Sequence, residues 1–239
     1  MKFCDLTLAT PAENLACDEA LLDQAEDGLG EEVLRIWEPA QCFVVVGYSN
    51  QAATEVNLPF CERNGLPVLR RCTGGGTVLQ GPGCLNYSLI LRVAVSGPLG
   101  SISATNHFIL DRHRTAIAPL IGAPVERRGQ TDLAIGGLKF SGNAQRRKRR
   151  FLLFHGSFLL HADIALIATA LPLPSKQPDY RANRSHADFL VNLKIAPSLL
   201  SAALAKTWNA TEPLTGLPTE RIKLLTRDKY SQPGWSLRF

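Results

Sequence analysis

Three consecutive glycines, Gly74-Gly75-Gly76, stand between two short strand-like segments at residues 67–71 and 77–79. Glycine loses more conformational freedom on folding than any other residue. A triplet between strands therefore marks a place where the backbone takes φ > 0 or comes very close to a ligand. Arg70 and Arg71 lie just before the triplet, and guanidinium groups beside loop N–H donors suit a phosphate or a carboxylate. A tight turn beside two surface arginines accounts for the same residues, so the rest of the chain has to decide.

Thr10-Pro11-Ala12-Glu13 is a capping box, and Leu15, Ala16, Ala20, Leu21 and Leu22 lay an apolar stripe along a helix that ends near Gly28. Val33–Trp37 and Phe43–Val46, separated by Glu38-Pro39-Ala40, read as neighbouring strands joined by a turn. A helix over residues 56–64 closes at Gly65. Leu85, Tyr87, Leu89, Leu91 and Val93 alternate with Asn86, Ser88 and Arg92, which predicts a strand with one buried and one partly polar face; Ile90 breaks the pattern. A longer helix over 103–121 is stopped by Gly122 and Pro124. Residues 132–135, 139–141 and 151–160 read as strands. Gly136-Gly137 links the first two, Ser141-Gly142-Asn143-Ala144 turns the chain, and the basic run Arg146-Arg147-Lys148-Arg149-Arg150 leads into the third. Helices over 163–171 and 198–208 flank a long polar segment, 172–192. The expected fold is α+β, one domain over 1–239, with a mixed, largely antiparallel sheet flanked by helices.

The chain has 239 residues, 45% hydrophobic and 20% charged, the balance of an ordinary soluble globular protein. Its longest apolar runs, 42–46 and 151–154, are far short of the roughly 20 residues of a membrane-spanning helix, so no membrane is expected as a partner. Met1-Lys2-Phe3-Cys4-Asp5 turns polar too early for a secretory signal, and the cytoplasm is the expected compartment. The six cysteines form no C-x-x-C pair, which predicts reduced thiols and no zinc site. Much of the net charge of +5 sits in the run 146–150, a patch too local for a nucleic-acid-binding protein.

Lys139 stands between Leu138 and Phe140, where a lysine normally faces solvent. Asp132, seven residues upstream across the Gly136-Gly137 turn, is placed to meet it from the adjacent strand. Such an acid and base can hold a phosphate, a metal or an incoming amine, or form a simple cross-strand ion pair worth under about 1 kcal/mol. His155-Gly156 lies inside an apolar strand, where a histidine is more often a hydrogen-bonded core residue than a catalyst. No H-E-x-x-H, G-x-S-x-G or Walker A pattern occurs.

In order along the chain come Trp37, Pro39, Val44-Val45-Val46-Gly47, Asn50-Gln51, Glu55 and Asn57, then Arg70-Arg71-Cys72-Thr73-Gly74-Gly75-Gly76-Thr77-Val78 and Leu85-Asn86-Tyr87-Ser88. Thr131-Asp132-Leu133, Lys139-Phe140-Ser141-Gly142-Asn143-Ala144-Gln145 and His155-Gly156-Ser157 follow. To about Leu160 this series resembles the lipoate–protein ligase A family of the biotin/lipoate ligase superfamily. The resemblance implies ATP-dependent activation of lipoate to lipoyl-AMP and transfer to a lysine of a lipoyl carrier domain, such as a 2-oxoacid dehydrogenase E2 component or a glycine-cleavage H protein. It implies that Arg71, Gly74, Gly75, Gly76, Thr77, Val78 and Leu79 hold the nucleotide and that Lys139 is the essential lysine. Asp132 would assist it, placing the amine or a Mg²⁺ ion, and Arg70, Asn86, Gly142, His155 and Gly156 would contact substrate.

Two departures qualify the resemblance. Gln80-Gly81 stands where many ligases have His-Asp, and the sequence stops about where two-domain ligases begin an accessory C-terminal domain, which raises the expectation of a separate accessory subunit. The rival reading is an octanoyl or lipoyl transferase, using a thioester or another preformed donor. Its cysteine would fall just before Asp132, where this chain has Arg127-Arg128-Gly129-Gln130-Thr131; Cys72 and Cys84 are expected to flank the pocket. A biotin ligase is disfavoured by the glycine loop. A non-enzymatic acyl-carrier module would not need Lys139. The basic run reads as a solvated hairpin tip, or as a surface that steers acidic carrier domains.

Overall fold

The computed structural model describes residues 1–94 and 96–239. In chain order the elements begin with β1 (Lys2–Asp5), α1 (Pro11–Glu26), β2 (Val33–Trp37), β3 (Phe43–Val46), α2 (Ala52–Glu55) and α3 (Leu58–Arg63). β4 (Val68–Arg70), β5 (Val78–Gln80), β6 (Cys84–Arg92), α4 (Ile102–Ile121), β7 (Glu126–Arg128) and β8 (Asp132–Ile135) follow. The remainder is β9 (Leu138–Arg147), β10 (Phe151–Leu159), α5 (Ile164–Ala170), α6 (His186–Phe189), α7 (Pro197–Thr207), β11 (Glu212–Pro213), α8 (Thr219–Leu225) and α9 (Pro233–Ser236). A 3₁₀ turn at Asp179–Arg181 interrupts the segment between α5 and α6.

The strands form the expected mixed, largely antiparallel α+β architecture, divided into two sheets. The larger runs β11-β1-β2-β6-β10-β9-β8-β7, and the smaller β4-β3-β5. This corrects the expected pairing of β2 with β3. β2 pairs with β1 and β6, whereas β3 crosses to the small sheet between β4 and β5.

β6 is buried on both faces, not on one. Leu85, Tyr87, Leu89 and Leu91 join Ile109, Leu110, Ile117, Leu200 and Leu204 in the core beneath α4 and α7. Ile90 points the other way and packs with Leu15, Ala16 and Leu22 of α1, which explains its break in the alternation. α1 is started by the expected capping box: Glu13 N donates to Thr10 Oγ1 at 3.2 Å, and Thr10 N donates to Glu13 Oε2 at 2.9 Å, a cap worth about 1 kcal/mol. Gly122, at φ 62°, ends α4.

β9 also departs from expectation. Ser141-Gly142-Asn143-Ala144 does not turn the chain; the strand continues to Arg147, paired with β10 throughout. The basic run is largely tied down. Arg146 reaches Glu19 and the Cys72 carbonyl, Arg147 the Leu99 carbonyl, and Lys148 pairs with Asp23. Among the described residues, no helix is long and apolar enough to cross a membrane.

Candidate active site

A cavity of about 530 Å³ opens where the two sheets meet, within the usual size of a small-molecule site. α1 supplies Leu15 and Asp18, the small sheet Val45 and residues 75–80, and β6 Asn86 and Tyr87. β8 and β9 supply Asp132, Lys139 and residues 141–144, and β10 supplies His155, Gly156 and Ser157. The fourth side is the stretch from Leu171 to Leu190, including Arg181, His186 and Phe189.

Lys139 and Asp132 meet because of the turn between them. Gly136 (φ 54°) and Gly137 (φ 78°) both take left-handed backbone, which closes a two-residue hairpin of the type that matches strand twist. A bulge between Leu133 and Ala134 then shifts the register, and Lys139 Nζ lies 2.8 Å from Asp132 Oδ1. The lysine side chain passes over Gly142, where a Cβ would stand 2.9 Å from Nζ. Asp132 Oδ2 accepts from the Tyr180 hydroxyl at 2.8 Å. Burial, and then Asp132, push the Tyr180 phenol upward, so it stays a proton donor.

The glycine loop uses its residues unequally. Gly75 alone of the three takes the left-handed region, at φ 86°, while a Cβ at Gly74 or Gly76 would meet nothing. Arg71 is buried. It donates to Gly74 O through Nε (3.1 Å) and Nη2 (2.7 Å), and to Gly76 O at 2.6 Å. Burial pushes its guanidinium down to about 10, so it remains charged at neutral pH. Thr77 Oγ1 accepts from Asn50 Nδ2 at 3.2 Å.

A second buried network braces the floor. Asp18 Oδ1 accepts from Arg35 Nη1 at 2.7 Å, Asp18 Oδ2 lies 3.3 Å from His155 Nδ1, and His155 Nε2 lies 2.6 Å from Thr73 Oγ1. Gly156 leaves room for the Asn143 amide, whose Oδ1 a Cβ there would overlap. That amide oxygen accepts from Tyr87 OH at 2.5 Å, and Asn143 Nδ2 donates to Thr131 O at 2.7 Å. Ser157 Oγ donates to Asn86 Oδ1 and accepts from Gln80 Nε2.

Of the residues singled out from sequence, Arg71, Gly75, Gly76, Thr77, Val78, Leu79, Asn86, Asp132, Lys139, Gly142, His155 and Gly156 line this cavity. Arg70 and Gly74 do not. Arg70 faces away, fully buried, and donates to the carbonyls of Gly47, Tyr48, Asn50, Trp235 and Arg238. It is a brace rather than a substrate contact. Cys72 and Cys84 lie behind residues of the wall and do not line the cavity themselves. Both are buried, and burial pushes their thiols up to about 11 and about 12. Arg181, His186 and Phe189 escaped the sequence reading because the segment that holds them has no hydrophobic period; its signal was a polar stretch dense in arginine and proline.

The family model described as the lipoyl protein ligase A/B catalytic domain matches residues 10–202. The putative lipoate-protein ligase A of Aeropyrum pernix is 30% identical, over 96% of this chain and 90% of its own. Octanoyltransferase LipM of Brevibacillus brevis is 27% identical, over 96% and 95% respectively. The probable lipoate-protein ligase A of Mycoplasma pneumoniae is 29% identical over 77% of this chain, which spans 52% of that protein's length. A crystal structure of lipoate-protein ligase A bound with ATP superposes with a TM-score of 0.83 at 23% identity, over 99% of this chain and 98% of that one. A bi-partite lipoate protein ligase from Thermoplasma acidophilum, described with its E2 lipoyl domain, superposes at 0.82 with 21% identity, over 99% and 95%. At these identities the two structures establish a shared fold.

Proposed function

The chain belongs to the lipoyl protein ligase A/B catalytic-domain family, and from that premise we propose that it is a lipoate–protein ligase that activates lipoate with ATP and passes the acyl group to a lysine of a lipoyl domain. The observation that carries the reading is the Lys139 ammonium, held on Asp132 at the wall of a cavity that no cysteine lines. The ATP-bound relative of the same fold supports the choice of nucleotide.

The cavity walls suit both halves of such a substrate. Leu15, Trp37, Val45 and Leu79 offer apolar surface to an acyl chain, and the Gly75-Gly76 backbone and Lys139 offer donors to a phosphate. In the first step a carboxylate oxygen attacks the α-phosphorus, the bond to the β-phosphate oxygen breaks, and pyrophosphate leaves with the electron pair. Lys139 offsets the charge that develops on the α-phosphate and carbonyl oxygens. In the second step the neutral carrier amine attacks the carbonyl carbon, the bond from that carbon to the AMP oxygen breaks, AMP leaves with the electron pair, and the amine proton is released to solvent. Asp132 and Tyr180 fix the ammonium so that little reorganisation is needed. Both Asp132 oxygens are engaged, one by Lys139 and one by Tyr180, so a Mg²⁺ ion brought in on the nucleotide would reach this carboxylate only by displacing one of them. In this arrangement the carboxylate orients Lys139.

The LipM relative supports a second reading, acyl transfer from a preformed donor. A thioester route needs a reactive thiolate at the acyl site, and the buried, upward-shifted thiols of Cys72 and Cys84 argue against it. The bi-partite relative supports a lipoyl domain as acceptor and a separate subunit as helper. Purified protein incubated with ATP, lipoate and a lipoyl domain should release pyrophosphate in a lipoate-dependent manner and add a lipoyl mass to the carrier. A helper subunit, if needed, should raise the first step and leave transfer from synthetic lipoyl-AMP unaffected. Carrier modification from an acyl thioester, with no pyrophosphate released with or without a second subunit, would establish the transferase instead.

A further inference from the structure

Arg181 is 5% exposed and lines the cavity. Its Nε donates to Arg184 O at 3.1 Å, and its guanidinium lies 4.7 Å from the centre of the Phe189 ring. Its Nη2 is buried and has no hydrogen-bond partner among the described residues. Whereas the buried Arg35 is paired with Asp18 at 2.7 Å, no carboxylate among the described residues lies within ion-pair distance of Arg181. A buried guanidinium with an unmade bond and no counter-charge is costly to fold. The missing half of the pair is an anion.

The surroundings say which one. The 3₁₀ turn Asp179–Arg181 delivers two consecutive side chains to the site: Tyr180 fastens Asp132, and Arg181 follows it into the cavity wall. His186, on the same wall, is pushed down to about 4 by burial and then by Arg181 and Lys139, so both cations lie close to it and it stays neutral near pH 7. Asp132, the nearby acid, is already held by Lys139 and Tyr180. Arg71 directs its donors at the carbonyls of Gly74 and Gly76. A nucleoside triphosphate carries more charge than Lys139 alone can offset, and a guanidinium matches phosphate oxygens in geometry as well as charge. Building on the adenylate-forming reading, we propose that Arg181 anchors the pyrophosphate end of the nucleotide and takes up the charge on the leaving pyrophosphate when the α–β bond breaks.

The test is calorimetric titration of the full chain with inorganic pyrophosphate, AMP and coenzyme A, using wild type, Arg181→Gln and Arg181→Lys. Arg181→Gln should weaken pyrophosphate by about tenfold to a hundredfold, the loss expected for a charge-assisted bond, and AMP by far less. Arg181→Lys, which keeps the charge but not the fork, should fall between. Unchanged pyrophosphate affinity in either variant would overturn the proposal, as would equal losses for pyrophosphate and AMP. If Arg181→Gln does not fold, Arg181→Lys alone decides by the same comparison. Arg181-dependent binding of coenzyme A without binding of pyrophosphate would assign the anchor to a phosphorylated acyl donor and overturn it too. If pyrophosphate binds through Arg181 but the wild type never releases it from ATP, the anchor stands and the ligase reading fails.

Discussion

Gly47 and Gly75 lie so close together that a methyl group on Gly47 would overlap the Gly75 carbonyl oxygen. The loop after β3 and the glycine loop are thereby packed backbone to backbone, joined also by the bond from Tyr48 N to Thr73 O at 2.9 Å. Because the obstacle is main chain, it cannot swing aside. Gly47→Ala should cost about 1–3 kcal/mol of stability, the usual range for overpacking, and should weaken ATP binding by displacing Gly75. Calorimetry showing unchanged ATP affinity in this variant would mean that the loop does not cradle the nucleotide.

Lys139→Ala should lower carrier modification by about a hundredfold to a thousandfold, the scale seen when one charge-stabilising donor is lost. Its melting temperature should stay close to that of wild type, because a partly exposed lysine is removed and Tyr180 still bonds Asp132. The readout is the intact mass of the lipoyl domain. Modification at the wild-type rate would remove Lys139 from the chemistry.

Gly142→Ala should give a milder version of that defect without removing any charge. The added methyl would meet Lys139 Nζ at 2.9 Å and Cε at 3.0 Å, forcing the flexible lysine off Asp132. Steady-state kinetics should show a reduced kcat, and a kcat equal to wild type would show that the ammonium tolerates displacement.

The Asp18 network carries a pH signature. Burial opposes the Asp18 carboxylate, but the Arg35 ion pair and then the neighbouring His155 outweigh it and hold its pKa below 3.8. A carboxylate depressed in the folded state contributes stability above its unfolded pKa, and loses it as pH falls through the folded value. Thermal melts should therefore drop increasingly steeply below about pH 4. Asp18→Asn, which leaves Arg35 buried without its counter-charge, should cost about 3–5 kcal/mol at neutral pH and flatten the acid limb. A neutral-pH melt matching wild type would contradict this.

Brief treatment of the native protein with a thiol-alkylating reagent should leave carrier modification intact. Cys72 and Cys84 are buried with thiols pushed up to about 11 and about 12, so little thiolate is exposed. Inactivation tracking the alkylation of one cysteine would favour a thioester mechanism.

The Lys139–Asp132 pair was legible in sequence because both residues flank a Gly-Gly hairpin, and hairpin geometry is local. The continuation of β9 through Gly142 and Asn143 was not. Glycine and asparagine signal turns, but here they stay extended because Tyr87 OH and Thr131 O satisfy the Asn143 amide from outside the strand. Arg70 and Arg71 look equivalent in the sequence. Only tertiary contacts send one into the carbonyls of the Gly47–Asn50 turn and the C-terminal segment, and the other under the glycine loop. Arg181 and His186 sit in a 3₁₀ turn and in the four-residue α6, single turns too short for a periodic pattern to report which side chains turn inward.

The division into two sheets has a mechanical consequence. Among the described residues no strand pairing joins β4-β3-β5 to the larger sheet; side-chain bonds span the gap instead, from Gln80 to Ser157, Thr73 to His155, and Arg146 to the Cys72 carbonyl. The cavity is thus a seam rather than a bowl, with Lys139 on one lip and Gly75 on the other. A molecule that touches both lips becomes an extra stitch, and the free energy of its binding adds directly to the resistance of the seam to opening. Hydrogen exchange along β5 is where that stitch would be felt.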